Sequence, residues 1–297
     1  MKTMLLRDFL LRIHLCKGIG IIGKSKIYTW MDRVGWNDLQ IPTAGFLSAV
    51  AQLNSRNSAV FRQSYEQLIQ DDEQVIKLVD GERWLTIVDA EYPLQLRESY
   101  APPLVLFYRG DLDLLKHPLL GIVGARDCTS YSVEILKNLI PGRVSNTMTI
   151  VSGLAKGVDT LAHQCAIANN GCTIGVIGTG MDICYPYSNQ DLQASIARDH
   201  LLISEYPNHT KGYRNHFPER NRIIAGLVQS VLVTEAKQHS GSLITANLAL
   251  QNNRNVLAVP GSILAPLSVG TNELIVAGAK PVLRDLDILE EYFHTGI

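Results

Sequence analysis

The chain has 297 residues, of which 46% are hydrophobic and 19% are charged, and its formal net charge is -1 at pH 7. This composition is that of a folded globular protein with enough apolar residues for a sizeable core, and the length allows one to three domains. Because the chain as a whole is not basic, it is not a protein that coats nucleic acid unspecifically, and any nucleic-acid binding has to come from a local patch.

The five cysteines and the apolar segments indicate the compartment. No cysteine belongs to a C-x-x-C pair, so neither a zinc site nor a disulfide framework is predicted, and a reducing cytoplasm fits best. Arg7 and Asp8 interrupt the apolar start of the chain, unlike a signal peptide. No stretch approaches the ~20 apolar residues of a membrane helix, so membrane insertion is not predicted.

Residues 1–83 are predicted to form a small all-α domain. Leu6, Phe9, Leu10 and Ile13 recur at helical spacing, and further helices are expected near 43–53, 57–70 and 71–79. Between the first two helices lies Lys17-Gly18-Ile19-Gly20. Two interpretations remain open for it: a hairpin that offers backbone N–H groups to a DNA phosphate, or a glycine turn between packed helices.

Residues 84–297 are predicted to form a second domain of α/β class. Two short strands at 84–88 and 104–108 lead into it, and strands and helices alternate from about residue 118. The strands are apolar at successive positions, which predicts a parallel sheet with helices on both faces. The strands are expected at 119–124, 148–153, 173–178, 201–205, 231–235, 256–261 and 281–283, and the helices at 129–140, 157–169, 219–228, 242–252 and 271–277.

Ligands of such a sheet bind beyond the carboxyl ends of the strands, at the topological switch point. In this chain the residues after nearly every strand are small, and glycines there allow a ligand to approach the backbone and the helix N-termini. Several of these turns also carry a cation. We therefore expect four cations to converge on one phosphate-binding rim: Arg126, Lys156, Arg220 and Arg222.

The segment Phe217-Pro218-Glu219-Arg220-Asn221-Arg222 is the most informative part of the chain. Arginine presents a planar fork of donors that matches phosphate oxygens, and the preceding aromatic ring could stack on a base. Downstream, Ser240-Gly241-Ser242 could hold a phosphate or cap the next helix, and both roles are compatible.

Motifs for nucleotide enzymes are missing from the α/β domain, and catalytic candidates are few. The strand ends of residues 84–297 carry neither G-x-G-x-x-G nor G-x-x-x-x-G-K-[ST], which argues against a dinucleotide dehydrogenase and a P-loop ATPase. Asp159 and His163 are one helical turn apart and are interpreted as a structural pair. Glu205 and Glu235 could act as bases, but charge pairing with Arg220, Arg222 or Lys237 is preferred. No catalytic residue, metal ligand or cofactor is predicted.

Taken together, the motifs resemble the DNA-processing protein A (DprA/Smf) family over about residues 85–285. The segments that carry the resemblance are Val151-Ser152-Gly153-Leu154-Ala155-Lys156-Gly157-Val158-Asp159 with Ala162-His163, Tyr185-Pro186 with Asn189, Ser204-Glu205, Phe217-Pro218-Glu219-Arg220-Asn221-Arg222, Ser240-Gly241-Ser242-Leu243-Ile244-Thr245-Ala246, Val259-Pro260-Gly261 and Gly270-Thr271-Asn272.

The resemblance implies an extended Rossmann-like domain preceded by a sterile-alpha-motif-like helical domain. It implies sequence-independent binding of single-stranded DNA, protection of incoming strands and loading of the RecA recombinase in natural transformation. It also implies a homodimer, with single-strand-binding protein as a further partner. The expected DNA-binding residues are Arg126, Ser152, Gly153, Lys156, Phe217, Arg220, Asn221, Arg222, Lys237, Ser240 and Gly241.

Two positions depart from the family pattern, and one rival function remains. Tyr187 stands where some relatives carry a basic residue, so base stacking is expected there in place of an ionic contact, and Ala125 replaces a small hydroxyl residue. A C-terminal winged-helix domain is not expected. The rival is an enzyme that binds or hydrolyses a nucleotide derivative on a related fold, but its contiguous P-G-G-x-G-T-x-x-E segment does not occur.

Overall fold

The structure is a computed structural model that describes residues 4–36 and 40–293. It divides into two compact units, one of Met1–Tyr92 with Ala101–Phe107 and one of Pro93–Tyr100 with Tyr108–Ile297. The predicted domain boundary between residues 83 and 84, and the sterile-alpha-motif-like character of the first domain, stay predictions.

The first unit is mainly helical, as the sequence predicts. Side chains at three helix starts explain where those helices begin, because Thr43, Asn54 and Asp71 each accept a hydrogen bond from a backbone N–H in the following turn. The elements are α1 (Leu6–Leu15), α2 (Ile21–Val34), α3 (Ala44–Val50), α4 (Ser55–Gln70), α5 (Asp72–Val79), β1 (Arg83–Thr86) and β2 (Val105–Gly110), the last of which ends in the second unit.

The Gly18–Gly20 turn between α1 and α2 packs directly on α4. Gly18 has φ +78°, and a Cβ there would lie 2.7 Å from the Asn57 carbonyl oxygen and the Phe61 backbone nitrogen. Only glycine fits such a close approach of two backbones. The segment therefore has the role of a glycine turn between packed helices, which is one of the two interpretations of the sequence.

The second unit alternates strands and helices from residue 119 onward, and each predicted strand is found within three residues of its expected bounds. Four helices were not predicted, and three of them have only four or five residues: Leu94–Arg97, Arg143–Thr147, Gln190–Asp199 and Asp285–Leu289. The elements are α6 (Leu94–Arg97), β3 (Leu119–Val123), α7 (Ser130–Leu139), α8 (Arg143–Thr147), β4 (Thr149–Ser152), α9 (Val158–Ala168), β5 (Cys172–Ile177), α10 (Gln190–Asp199), β6 (Leu201–Ser204), α11 (His216–Leu227), β7 (Ser230–Val233), α12 (Gly241–Gln251), β8 (Asn255–Ala258), α13 (Val269–Val276), β9 (Lys280–Pro281) and α14 (Asp285–Leu289).

Seven strands of the second unit form a parallel sheet in the order β6-β5-β4-β3-β7-β8-β9. Every residue of β3, β4, β6 and β7 is buried, and two groups of helices flank the sheet, which confirms the predicted α/β class. The chain progresses outward in one direction from β3 to β6 and in the other from β7 to β9. The switch point therefore lies between the carboxyl ends of β3 and β7.

Candidate functional site

Two adjoining cavities lie at the carboxyl ends of the central strands and together form what we call the groove. The first, the aromatic cavity, has a volume of about 210 Å³ and is lined by Ile177, Tyr185, Pro186 and Phe217 together with Gly153, Ala155, Lys156, Gly178 and Thr179. The second, the switch-point cavity, measures about 410 Å³ and is lined by Val123, Gly124, Ala125, Asp159, Asn221, Ser240, Gly241, Ser242 and Thr245. Both share Arg126, Ala155, Phe217 and Arg220.

Arg220 of α11 is the buried cation of the groove. Its side chain is 5% exposed, and Nη1 lies 3.6 Å from Oδ2 of Asp159. The guanidinium rests on Gly153, where a Cβ would be 0.9 Å from Nη1, so no other residue at position 153 leaves room for it. Nε and Nη1 donate no hydrogen bond to any described residue, and Arg220 lines both cavities. A charged arginine that lines both cavities is suited to an anion in the groove.

Burial and charge act in opposite directions on this pair. Burial lowers the pKa of the Arg220 guanidinium, while the Asp159 carboxylate raises it and the charge of Arg126 lowers it further. Burial likewise raises the pKa of Asp159, and Arg220 opposes that shift. A guanidinium stays protonated in proteins, so Arg220 is a buried positive charge in the groove. Arg126 and Lys156 add two further positive charges, and the Asp159 carboxylate offsets only one of the three.

Two exposed cations and two rings complete the groove. Arg126 and Lys156 are exposed and follow β3 and β4. The guanidinium carbon of Arg126 lies 5.9 Å from the ring centroid of Phe217, and the Tyr185 and Phe217 centroids are 5.3 Å apart. Cations interleaved with aromatic rings fit a strand whose phosphates and bases are bound side by side.

A glycine allows the turns of Arg126 and Lys156 to meet. Gly157 has φ +75°, and a Cβ there would lie 2.4 Å from the carbonyl oxygens of Ala125 and Arg126. Any side chain at this position would push the two turns apart. Gly157 therefore allows the turn after β4 to contact the turn after β3, which brings Lys156 and Arg126 to the same groove.

The N-terminus of α12 opens into the switch-point cavity. Ser240 precedes the helix but does not cap it through its side chain, and its hydroxyl instead lies 2.9 Å from the Ser242 hydroxyl. Ser240 therefore does not cap α12 through its side chain, and phosphate binding by Ser240 stays a prediction. Asn221 faces the same helix end, where its amide lies 3.5 Å from the Gly241 carbonyl oxygen.

The structure brings Arg126, Gly153, Lys156, Phe217, Arg220, Asn221, Ser240 and Gly241 together in the groove, and it places the other expected residues elsewhere. Arg222 is buried and pairs with Glu205, outside both cavities. The Ser152 hydroxyl is buried and donates to the Ile122 carbonyl oxygen over 2.6 Å. Lys237 and Tyr187 are exposed and line neither cavity. The binding roles of all these residues stay predictions.

Two expected pairings are wrong. Asp159 pairs with Arg220, not with His163, whose Nδ1 lies 2.6 Å from the Thr173 hydroxyl. Burial and the charge of Arg220 lower the pKa of His163 to about 3, so the ring is neutral at pH 7. Glu235 does not pair with a cation in the described part of the chain, because it accepts hydrogen bonds from the backbone and hydroxyl of Thr129 and from the Ser132 hydroxyl at 2.7 to 2.8 Å.

Sequence reasoning missed two residues of the groove. Tyr185 follows β5, and in the sequence the signal for it is an aromatic residue beyond a strand end. Asp159 lies one helical turn from His163, and nothing in the sequence shows that Arg220 reaches it. Among residues 4–36 and 40–293, no cluster of three or more His, Cys, Asp or Glu could hold a metal ion, and no helix is long and apolar enough to cross a membrane.

Comparison with known proteins gives consistent matches. Residues 83–293 match the family model of DNA recombination-mediator protein A. The chain is 48% identical over 237 residues to DNA processing protein DprA of Streptococcus pneumoniae, covering 80% of this chain and 83% of that protein. It is 40% identical over 256 residues to DNA processing protein DprA of Bacillus subtilis, covering 84% and 86%.

Two solved structures are also similar. The X-ray structure of the Streptococcus pneumoniae protein has a TM-score of 0.88 and 41% identity, and the match covers 98% of this chain and 99% of that one. DNA processing protein A of Helicobacter pylori, whose structure is described as giving insight into a unique single-stranded DNA binding mode, has a TM-score of 0.64 and 30% identity. That match covers 72% of this chain and 99% of the Helicobacter chain.

Proposed function

Because this chain belongs to the DNA recombination-mediator protein A family, we propose that it binds single-stranded DNA in the groove without sequence preference. The family is one of recombination mediators and not of enzymes. The observation that carries the proposal is the meeting of Arg126, Lys156 and Arg220 with the rings of Tyr185 and Phe217 at the carboxyl ends of β3, β4 and β5. Cations hold phosphates, and rings stack on bases of any sequence.

Two further observations support a strand over a duplex. The rings of Tyr185 and Phe217 line the aromatic cavity, and stacking on them requires bases that are not already paired. The Helicobacter pylori relative, which is 30% identical, is described as binding single-stranded DNA.

Loss of the two exposed cations tests the proposal. We expect Arg126→Ala/Lys156→Ala to weaken oligonucleotide binding at least tenfold on every sequence. With two phosphate contacts removed, the log–log salt slope should also become shallower by roughly 1.4. Fluorescence anisotropy with dT, dC and mixed oligonucleotides measures both quantities.

The matched control is Lys137→Ala/Arg198→Ala. Both residues lie in the last turns of their helices, α7 and α10, and therefore at the opposite edge of the sheet from the groove. This double variant removes the same number of positive charges and should keep the wild-type affinity within about twofold. Equal losses in the two double variants would show that net charge, and not the groove, determines binding.

We further propose that the bound strand is protected from nucleases and handed to the RecA recombinase in natural transformation, in the cytoplasm and with single-strand-binding protein as a further partner. Family membership supports this role. A RecA strand-exchange assay on oligonucleotides coated with single-strand-binding protein measures the transfer. The Arg126→Ala/Lys156→Ala variant should lose the stimulation of RecA. An unchanged stimulation would show that RecA loading does not depend on strand binding in the groove.

A homodimer is proposed through an apolar surface near the end of the second unit. Ile263 and Val276, which are 87% and 89% exposed, line one shallow depression, and Leu264 beside them is 88% exposed. Two other apolar residues of this region, Leu267 and Val282, belong instead to the core. Exposed apolar groups that lie together are typical of a protein–protein contact.

Replacement of Val276 tests the dimer. Val276→Glu places a charge in the proposed interface and should convert the protein to a monomer in sedimentation velocity at micromolar concentration. Leu94→Glu, at a residue 62% exposed on α6, is the control and should leave the sedimentation coefficient unchanged. A wild-type monomer at all concentrations would contradict the proposal.

The nucleotide-hydrolysing alternative finds no general base in the expected places. Glu205 is tied to Arg222 and Glu235 to Thr129 and Ser132, and neither carboxylate lines the groove.

A further inference from the structure

One carboxylate lies among the cations of the groove. Asp159 lines the switch-point cavity together with Arg126 and Arg220, and its side chain is only 9% exposed. A negative charge at this place repels the phosphates of a strand and offsets one of the cations that attract them. By charge alone, the groove would therefore bind a strand more tightly without Asp159.

Asp159 is bound to the loop that follows β4. Its Oδ2 accepts a hydrogen bond from the Ala155 backbone N–H over 3.3 Å, and the Gly153 N–H faces the same carboxylate. Burial raises the pKa of Asp159, and Arg220 and these two N–H groups oppose the shift. Leu154, between the two donors, has φ +55°, and backbone N–H groups around such a left-handed residue form a concavity that binds an anion. The Asp159 carboxylate is the anion in that concavity.

The same carboxylate holds the Arg220 guanidinium on this loop. Nη1 of Arg220 lies 3.6 Å from Oδ2 of Asp159, and a Cβ at Gly153 would be 0.9 Å from Nη1. Burial lowers the pKa of Arg220, Asp159 raises it, and the charge of Arg126 lowers it again. Burial and the repulsion from Arg126 both disfavour the guanidinium where it lies, and Asp159 offsets them.

We propose that Asp159 is a positioning residue for strand binding, which fixes Arg220 against the loop of Gly153 and so directs the guanidinium to the strand. The inference rests on the proposed function. The carboxylate raises the affinity of the groove for DNA although its charge has the same sign as that of DNA, because without it the buried arginine leaves its position.

Asp159→Asn tests the sign of this effect. The amide has the size of the carboxylate and an oxygen that accepts from the Ala155 N–H, but it lacks the charge that holds Arg220. We expect fluorescence anisotropy to show about tenfold weaker binding of a dT oligonucleotide, with a log–log salt slope shallower by roughly 0.7, because Arg220 loses its phosphate contact. Charge alone predicts the opposite, namely tighter binding and a steeper slope.

Asp127→Asn is the matched control. Asp127 is exposed in the turn after β3, next to Arg126, and lines neither cavity. This variant removes one negative charge beside the groove and leaves the pair of Asp159 and Arg220 in place. It should bind the strand as tightly as the wild type or slightly more tightly. If Asp159→Asn behaves in the same way, Asp159 acts only through its charge and the inference is wrong.

Removal of Arg220 should reverse the effect of the substitution. In Arg220→Met the carboxylate has lost the side chain that it positions, and its repulsion of the strand remains. The double variant Asp159→Asn/Arg220→Met should therefore bind the strand as tightly as Arg220→Met or more tightly. It buries neither charge and is expected to fold, which urea denaturation checks, so this comparison holds even where Asp159→Asn alone does not fold. A purely structural role of Asp159 would lower the affinity in both backgrounds and would overturn the inference.

The outcomes also separate the inference from the proposed function. If the wild type binds the strand and Asp159→Asn binds it equally or more tightly, the inference is refuted and the proposed function stands. A wild-type protein that binds no strand would contradict the proposed function, and the inference with it.

Discussion

At the scale of residues, the groove depends on the contact between Arg220 and Gly153. The guanidinium occupies the space that a side chain at position 153 would fill, so the glycine and the arginine act as one unit. The sequence placed both residues at strand ends that face the same rim, because carboxyl ends of parallel strands meet at one edge. It could not show that the arginine is buried, because burial depends on α11 folding over the end of β4.

Gly153→Ala is expected to weaken strand binding at least tenfold. The added methyl would lie 0.9 Å from Nη1 of Arg220, so the guanidinium has to leave its position, and the displacement should also lower the free energy of unfolding by about 1–3 kcal/mol. Oligonucleotide affinity and urea denaturation measure the two effects.

Gly241→Ala is the control for this change. It adds the same methyl in the same groove, but no atom lies within 4 Å of the new Cβ, so its effect on affinity should be far smaller. If Gly153→Ala binds the strand like the wild type, Arg220 does not need its observed position for binding.

At the scale of elements, α11 presents its two arginines to different surroundings. Residues two positions apart lie on nearly opposite sides of a helix, so Arg220 reaches the groove while Arg222 turns to Glu205 at the end of β6. Both members of this second pair are buried, at 4% exposed each. The pair therefore joins a helix to a strand end rather than lining the groove.

Arg222→Met is expected to lower the free energy of unfolding by about 3–5 kcal/mol, because it removes the arginine that pairs with the buried Glu205 carboxylate. The double variant Arg222→Met/Glu205→Leu removes both charges and should lose much less. Urea denaturation measures the difference. A double variant that is as unstable as the single one would contradict the structural role of the pair. If the double variant is stable but binds the strand more weakly, the predicted DNA contact of Arg222 is supported.

The elements were predictable where a local pattern specifies them. Strands buried on both faces are continuous apolar runs, so β3 to β8 could be located to within three residues. Partners could not be predicted, because Glu235 meets Thr129 and Ser132 across a separation of more than a hundred residues. The short helices α6, α8 and α14 also gave no signal, since four or five residues are too few to show an apolar period.

At the scale of the whole molecule, a nearly neutral chain of net charge -1 carries a local cluster of cations at the switch point of its sheet. Such a distribution allows a strand to be bound at one place without general attraction to nucleic acid. It also makes the strength of binding depend on how many phosphates the groove neutralises, which is a measurable number.

The salt dependence of oligonucleotide binding, measured in parallel for single- and double-stranded DNA, tests the central claim most directly. With about three to five phosphates neutralised, the observed association constant for a single strand should fall with a log–log slope of roughly -2 to -4. Duplex of the same length should bind more weakly at every salt concentration, because its bases cannot reach Tyr185 and Phe217. A slope near zero, or duplex binding as tight as that of the strand, would contradict the account.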